Sequence, residues 1–121
     1  MLTVSDFEAA VALYRDALGL AELEDWSEGE AKIVVLDAGR ATLELVNEEQ
    51  AEMIDRSEVG SPGSGPVRIA FKVADSEATA KRLARAGAET LAGAVTTPWN
   101  DRNVRMRGPE GMQLTLFTTL G

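Results

Sequence analysis

Two residue types are missing from this chain of 121 residues, and each absence excludes chemistry. Without cysteine there is no disulfide framework, no thiolate nucleophile and no zinc ribbon. Without histidine there is no Ser–His or Cys–His nucleophile, and no metal site built on two imidazoles and a carboxylate. Aromatic residues are scarce, and the two tryptophans are the only indoles that can stack on a ligand. No run approaches the ~20 apolar residues that a membrane span needs. The opening M-L-T-V-S-D-F-E has no basic segment followed by an apolar one, so no secretory signal is read and a cytoplasmic protein is expected. Basic side chains are outnumbered 12 to 20, and the net charge of −8 argues against nucleic acid as a partner.

What is present suits one compact domain with a sizeable core. The hydrophobic fraction of 45% and charged fraction of 26% are those of an ordinary globular protein. Charge is unevenly spread: residues 1–60 carry 15 acidic and 4 basic side chains, a net of −11, whereas residues 61–121 carry 5 and 8, a net of +3. Opposite-signed halves favour contact within the chain or across a dimer; plain drift in surface charge accounts for them equally well.

Leu2–Val4 reads as a short strand. Ser5-Asp6-Phe7-Glu8 reads as a capping box with the Ser5 hydroxyl as cap. Phe7, Ala10, Val11, Tyr14, Ala17 and Leu18 then recur at helical spacing and Gly19 ends the helix, with Phe7 and Tyr14 expected in the core. Strands are expected over Leu20–Trp26, Ala31–Leu36 and Ala41–Val46, the last two joined by the Asp37–Arg40 turn. Asn47 to Arg56 reads as a short polar helix capped by Asn47, and Glu48-Glu49-Gln50-Ala51-Glu52 as its solvated face. Ser61 to Pro66 is a linker by composition. The pattern then restarts. Val67–Ala74 is a strand, Asp75–Ala86 a helix closed by Gly87, and Leu91–Thr97, Asn103–Arg107 and Met112–Thr118 are strands. In R-I-A-F-K-V-A-D, Ile69, Phe71 and Val73 are expected on a core face, with Arg68, Ala70 and Lys72 on a wetter one.

The restart is a repeat. V-S-D-F-E-A-A-V-A-L-Y-R-D-A-L-G parallels V-A-D-S-E-A-T-A-K-R-L-A-R-A-G, setting Asp6 against Asp75, and A-T-L-E-L-V parallels M-Q-L-T-L-F, setting Glu44 against Thr115. The expected fold is α+β, a single domain over 1–121 made of two tandem βαβββ modules, with module one at 1–56, a linker at 57–66 and module two at 67–121. In this register the counterparts of Arg68 and Ile69 would precede Met1, so the first strand starts late or the chain lacks its first few residues.

The stretches V-S-D-F-E-A-A-V-A-L-Y-R-D-A-L-G-L, A-T-L-E-L, R-I-A-F-K-V-A-D and T-P-W-N-D-R-N-V-R-M-R-G-P-E-G-M-Q-L-T-L-F resemble the vicinal oxygen chelate superfamily, which includes glyoxalase I, extradiol dioxygenases, fosfomycin-resistance transferases and bleomycin-type drug-binding proteins. The resemblance implies that the modules curl into a cup-shaped mixed sheet with helices outside, usually in a homodimer. It also implies that metal-dependent members point one His or Glu into the cup from each of four strands. The first of those places lies upstream of Met1. The others fall at Glu44, Arg68 and Thr115, and only Glu44 is a ligand type. The faces concerned offer Thr42, Glu44 and Val46; Arg68, Ala70 and Lys72; and Gln113, Thr115 and Phe117. One carboxylate among two cations is a poor setting for a divalent ion, so no metal and no other cofactor is expected. Arg68 is expected to take the metal's place in a bidentate bridge to Glu44, unless it snorkels to the rim and leaves Glu44 solvated.

Ligand-binding candidates on this reading are Trp99, Glu44, Arg68, Arg102, Thr115, Gln113 and Trp26. Trp99, between Pro98 and Asn100, either stacks on a ligand at the cup or plugs the second module as a core residue. Trp26 is a rim stacker or a dimer anchor. Arg102 and Arg105 are candidate polar contacts or solvated side chains. The expected function is metal-free binding of a small molecule, in the manner of bleomycin resistance, with an antibiotic or an aromatic or cationic metabolite as ligand and a homodimer as the assembly. The alternatives are a metal-independent isomerase or lyase using Glu44 or Lys72 with Arg68 as anion clamp, and a metal-dependent lyase or dioxygenase.

Overall fold

The computed structural model describes residues 1–60 and 65–121; Ser61–Ser64, within the expected linker, lie outside the described residues. The fold is α+β, and the chain divides into two compact units, Met1–Met53 and Ile54–Gly121.

The first unit runs β1 (Leu2–Val4), α1 (Phe7–Val11), β2 (Glu22–Asp25), β3 (Ile33–Ala38) and β4 (Ala41–Asn47). Its sheet has the order β1-β4-β3-β2, with β1 parallel to β4 and the other pairs antiparallel. The residue that caps α1 is Asp6, whose Oδ1 accepts the Ala9 N–H at 3.0 Å, and not Ser5. A carboxylate there also meets the positive end of the helix dipole, which a hydroxyl does not. Beyond Val11 the chain winds wider over Ala12–Ala17, so that the Leu18 N–H bonds the Leu13 carbonyl at 2.8 Å. The wider turn rotates the expected stripe away from the sheet. Val11 is buried and Phe7, Ala10 and Tyr14 pack beside it, but Ala17 and Leu18 are exposed. Val34 and Leu36 of β3 and Leu45 of β4 complete that core.

Helix α2 (Glu48–Val59) begins as expected. Asn47 Oδ1 accepts the Gln50 N–H at 3.0 Å. The same oxygen accepts the Lys32 N–H at 3.0 Å, which ties the cap to the strand connection before β3. The helix continues through Val59, three residues into the stretch read as linker. Within the first unit, Ala51 packs on Ile33 and Val46, on the opposite face of the sheet from Val34 and Leu45.

The second unit repeats the plan with β5 (Arg68–Lys72), α3 (Ser76–Arg85), β6 (Glu89–Thr90), β7 (Val95–Thr96), β8 (Asp101–Arg107) and β9 (Gln113–Thr119). Its order is β5-β9-β8-β6, with β7 also on β8, so the strand expected over Leu91–Thr97 is realised only at Val95–Thr96, and β6 precedes it. Asp75 caps α3 as Asp6 caps α1, its Oδ1 accepting the Ala78 N–H at 3.0 Å. Val104, Met106 and Leu116 pack against Ala80 of α3. Gly87, at φ 110°, turns the chain after α3 in a conformation that disfavours any side chain.

Of the residues expected on the core face around β5, Val73 packs against the Ala80, Val104, Met106 and Leu116 cluster, but burial within the strand does not alternate. Arg68 is buried, while Ile69 and Phe71 are 42% and 50% exposed. The strand is outermost in its sheet, and the centre of the α3-facing layer is filled from β8 and β9 by Val104, Met106 and Leu116.

Asp6→Ala should lower stability by about 1 kcal/mol in urea denaturation, as loss of an N-cap does, and Ser5→Ala by less than about 0.5 kcal/mol. The reverse ranking would restore the hydroxyl as cap.

Candidate functional site

The candidate site lies on the face of the second sheet opposite α3. Parity along β8 sends Asn103, Arg105 and Arg107 to that face, and pairing with β9 and β5 aligns them with Phe117 and Lys72, Thr115 and Ala70, and Gln113 and Arg68. Two of the guanidinium groups on this face, Arg68 and Arg105, are buried, with Asn103, Gln113 and Thr115 buried beside them. Arg105 is the largest fully buried side chain among the described residues.

Helix α2 supplies the compensating charge. Asp55 and Glu58, three residues apart, share one helix face and are both buried. Arg105 Nη1 donates to Asp55 Oδ1 at 3.0 Å and Nη2 to Glu58 Oε2 at 2.6 Å. Two further donors are used, Nε on Thr115 Oγ1 at 3.3 Å and Nη1 on Gln113 Oε1 at 3.1 Å. Arg68 Nη1 lies 3.3 Å from Asp55 Oδ1 and 3.4 Å from Glu58 Oε2. Asn103 Nδ2 donates to the other Glu58 oxygen at 2.5 Å. Two cations and two anions, each carboxylate shared by both arginines, leave no net charge in the buried cluster. Each charge withdrawn from water carries a penalty of several kcal/mol, so an unbalanced set would not stay buried. One polar atom is left over: Asn103 Oδ1 is buried and accepts no hydrogen bond.

Arg68, expected in a bridge to Glu44, is held within its own unit by the carboxylates of Asp55 and Glu58. Glu44 is half-buried on β4 of the first unit. Of the seven candidates, Arg68, Gln113 and Thr115 come together. Arg102, three residues before Arg105 on the same strand, faces the other way and is held by Glu77 of α3 at 3.0 Å and by Thr96 at 3.2 Å. Trp99 is 51% exposed on a turn that Asn100 closes at φ 68°, with the Asn100 N–H on the Thr97 carbonyl at 3.0 Å. The expectation of a core plug therefore fails. Trp26 is exposed on the first unit, its Nε1 donating to Glu24 Oε2 at 2.9 Å. Beside it, hydrogen bonds from Ser27 hold the Asp25 carboxyl below the usual carboxylate range.

The sequence reading missed Asp55 and Glu58. Asp55 fell in a helix read as polar, and Glu58 in the linker. Their signal was a stripe at 51, 54, 55 and 58, apolar at Ala51 and Ile54 and acidic thereafter, whose four members are all buried. An acidic end to a helical stripe looks like a solvated face unless its cations are located.

A metal does not fit this face. No three His, Cys, Asp or Glu side chains stand close enough to hold one among the described residues. Both buried carboxylates are already engaged by guanidinium groups, and a divalent ion near Thr115 would stand beside two positive charges. Nor is any helix among the described residues long and apolar enough to cross a membrane.

Arg105→Met should cost about 3–5 kcal/mol in urea denaturation, because it leaves two buried carboxylates with one cation. The double variant Arg105→Met with Glu58→Leu should recover more than half of that loss by restoring balance, and Glu44→Gln should cost less than about 0.5 kcal/mol. A single-variant cost below about 1 kcal/mol would make the cluster no better than a surface ion pair.

Comparison with solved structures places this architecture. A hypothetical protein from Bacillus halodurans C-125 superposes with a TM-score of 0.72 at 16% identity, covering 99% of this chain and 91% of that one. The methylmalonyl-CoA epimerase of Mycobacterium tuberculosis gives 0.66 at 21% identity, covering 99% and 85%. That of Streptomyces coelicolor, as a point variant in complex with 2-nitronate-propionyl-CoA, gives 0.65 at 21% identity, covering 99% and 94%. At these identities the likeness is one of fold. No curated protein matches the chain in sequence. A family model does, over residues 1–116, and by that match the chain belongs to the glyoxalase/bleomycin resistance protein/dioxygenase superfamily.

Proposed function

We propose that this chain is a metal-independent small-molecule-binding protein of the glyoxalase/bleomycin-resistance type. The observation that carries the reading is the burial of Arg68 against Asp55 and Glu58, at the position where the family resemblance expects a metal ligand. With Arg105 beside it, the face offers directional guanidinium donors and polar acceptors in place of an ion. Gln113 and Thr115 line the same face, and the exposed Trp99 supplies a stacking surface in the same unit.

Charge narrows the ligand. The negative charge of the chain is concentrated in its first half, whereas Ile54–Gly121 carries 9 basic and 7 acidic side chains, a net of +2. Long-range steering of a cation toward the first half is compatible with this arrangement, but the guanidinium-bearing face favours an anionic or neutral polar group. A homodimer belongs to the same reading. Val67, Ile69 and Phe71 stand exposed at the outermost strand of the second sheet, where a second copy would cover them.

Metal analysis of the purified protein should find well under one divalent ion per chain, and EDTA should leave the melting temperature unchanged. In a Trp26→Phe variant, which keeps Trp99 as the only indole, fluorescence should respond saturably to at least one member of a panel of drug-like and metabolite ligands. One tightly held divalent ion per chain would contradict the reading, as would a panel without any saturable response.

A further inference from the structure

We propose that the seat filled by the Glu58 carboxylate is a ligand site, and that its ligand is a small 2-hydroxycarboxylate that displaces Glu58. The proposal rests on the small-molecule-binding reading above and names the chemical class of the ligand.

The seat is defined by its donors. Arg105 Nη2 at 2.6 Å and Asn103 Nδ2 at 2.5 Å grip the two oxygens of Glu58 from the sheet, and Arg68 Nη1 stands 3.4 Å from one of them. Any carboxylate presents the same pair of oxygens, so the seat is specific for that group before any particular ligand is considered. Glu58, however, meets the seat incompletely. Asn103 is 4% exposed and its Oδ1 accepts no hydrogen bond, because an ionised glutamate has no proton to give. A hydroxyl on the carbon next to a carboxylate places a donor beside the two acceptor oxygens. A 2-hydroxycarboxylate can therefore fill the seat, with its carboxylate on Asn103 Nδ2 and the guanidinium groups and its hydroxyl donating to Asn103 Oδ1.

Exchange is permitted by where Glu58 sits. It is the penultimate residue of α2, which ends at Val59 before Gly60 at φ 81°. Opening one terminal turn withdraws the glutamate to solvent, and end turns open at the least cost in any helix. Asp55, nearly a turn further in, stays on Arg105 and Arg68, so the arriving carboxylate replaces a single negative charge and the cluster remains balanced. Glu58 competes as a tethered carboxylate whose effective concentration is on the order of millimolar or higher, so the wild-type protein binds its ligand more weakly than a variant without that side chain.

The test is an NMR titration of the wild-type protein and of Glu58→Ala with glycolate, and with acetate, which lacks the hydroxyl. Wild type should bind glycolate saturably, with shifts at the Asn103 side-chain amide and at the Val59 and Gly60 backbone amides. Glu58→Ala should bind it about tenfold more tightly and prefer it to acetate by about fivefold, the size of one neutral hydrogen bond. Adding Asn103→Ala should abolish that preference. If Glu58→Ala does not fold, Glu58→Gln, which keeps the shape and removes the charge, takes its place with the same expected direction. Absence of a saturable glycolate response in wild type, or equal affinity for acetate and glycolate in the variant, overturns the proposal. If other ligands still perturb Trp99 while glycolate binds nowhere, this inference fails and the binding reading stands; if nothing binds in either experiment, both fail.

Discussion

Two arginines that cannot lose their charge are buried on one sheet face, and that constraint organises the second half of the molecule. Arg68 and Arg105 arrive there through strand parity and register, which fix their side chains on the same face as Thr115 and Gln113. A guanidinium remains protonated at any ordinary pH, so its burial has to be answered by anions. Helix α2 answers it with Asp55 and Glu58 at a spacing of three, which puts both carboxylates within reach of both cations. The burial of Arg68 at the head of β5 and the unsuitability of the face for a metal follow from this balance.

Buried ion clusters are seldom the most stabilising way to fill a core, since apolar side chains of similar volume do as well or better. The cluster is better understood as specifying than as stabilising. The opposite face of the same sheet, packed with Val104, Met106 and Leu116 against α3, provides the hydrophobic burial. The charged face provides directionality, with donors of fixed geometry and an acceptor, Asn103 Oδ1, that the helix leaves unmet. Division of labour between an apolar and a polar face of one sheet is how a small domain keeps a stable core and a chemically selective surface together.

Much of the architecture was legible in the letters of the chain. The internal repeat set Asp6 against Asp75, and both carboxylates cap their helices in the same manner. Strict alternation located β5, and glycine and aspartate placed the β3–β4 turn, where the Gly39 N–H bonds Asp37 Oδ1 at 2.9 Å. The site was only half legible. Arg68, Gln113 and Thr115 could be assigned to one face by parity, and the opposite orientations of Arg102 and Arg105 follow from the odd spacing between them. The partners of Arg68 could not be read, because ion pairs between distant segments leave no periodic trace. A nearby carboxylate such as Glu44 is as plausible on sequence as Asp55, thirteen residues before Arg68. The burial of Arg68 was missed for a related reason: alternation shows that two faces differ and is silent about what covers each, so Val73 reached the core while Ile69 and Phe71 stayed exposed.

Hydrogen exchange at the arginine side chains, followed by NMR, tests the organising claim most directly. If the two guanidinium groups are enclosed by Asp55 and Glu58, the Nε–H of Arg105, whose side chain is 0% exposed, exchanges far more slowly than that of Arg107, which is 43% exposed on the same strand. Equal and rapid exchange at both positions would mean that the face is open to water and that the balance of buried charge described here does not exist.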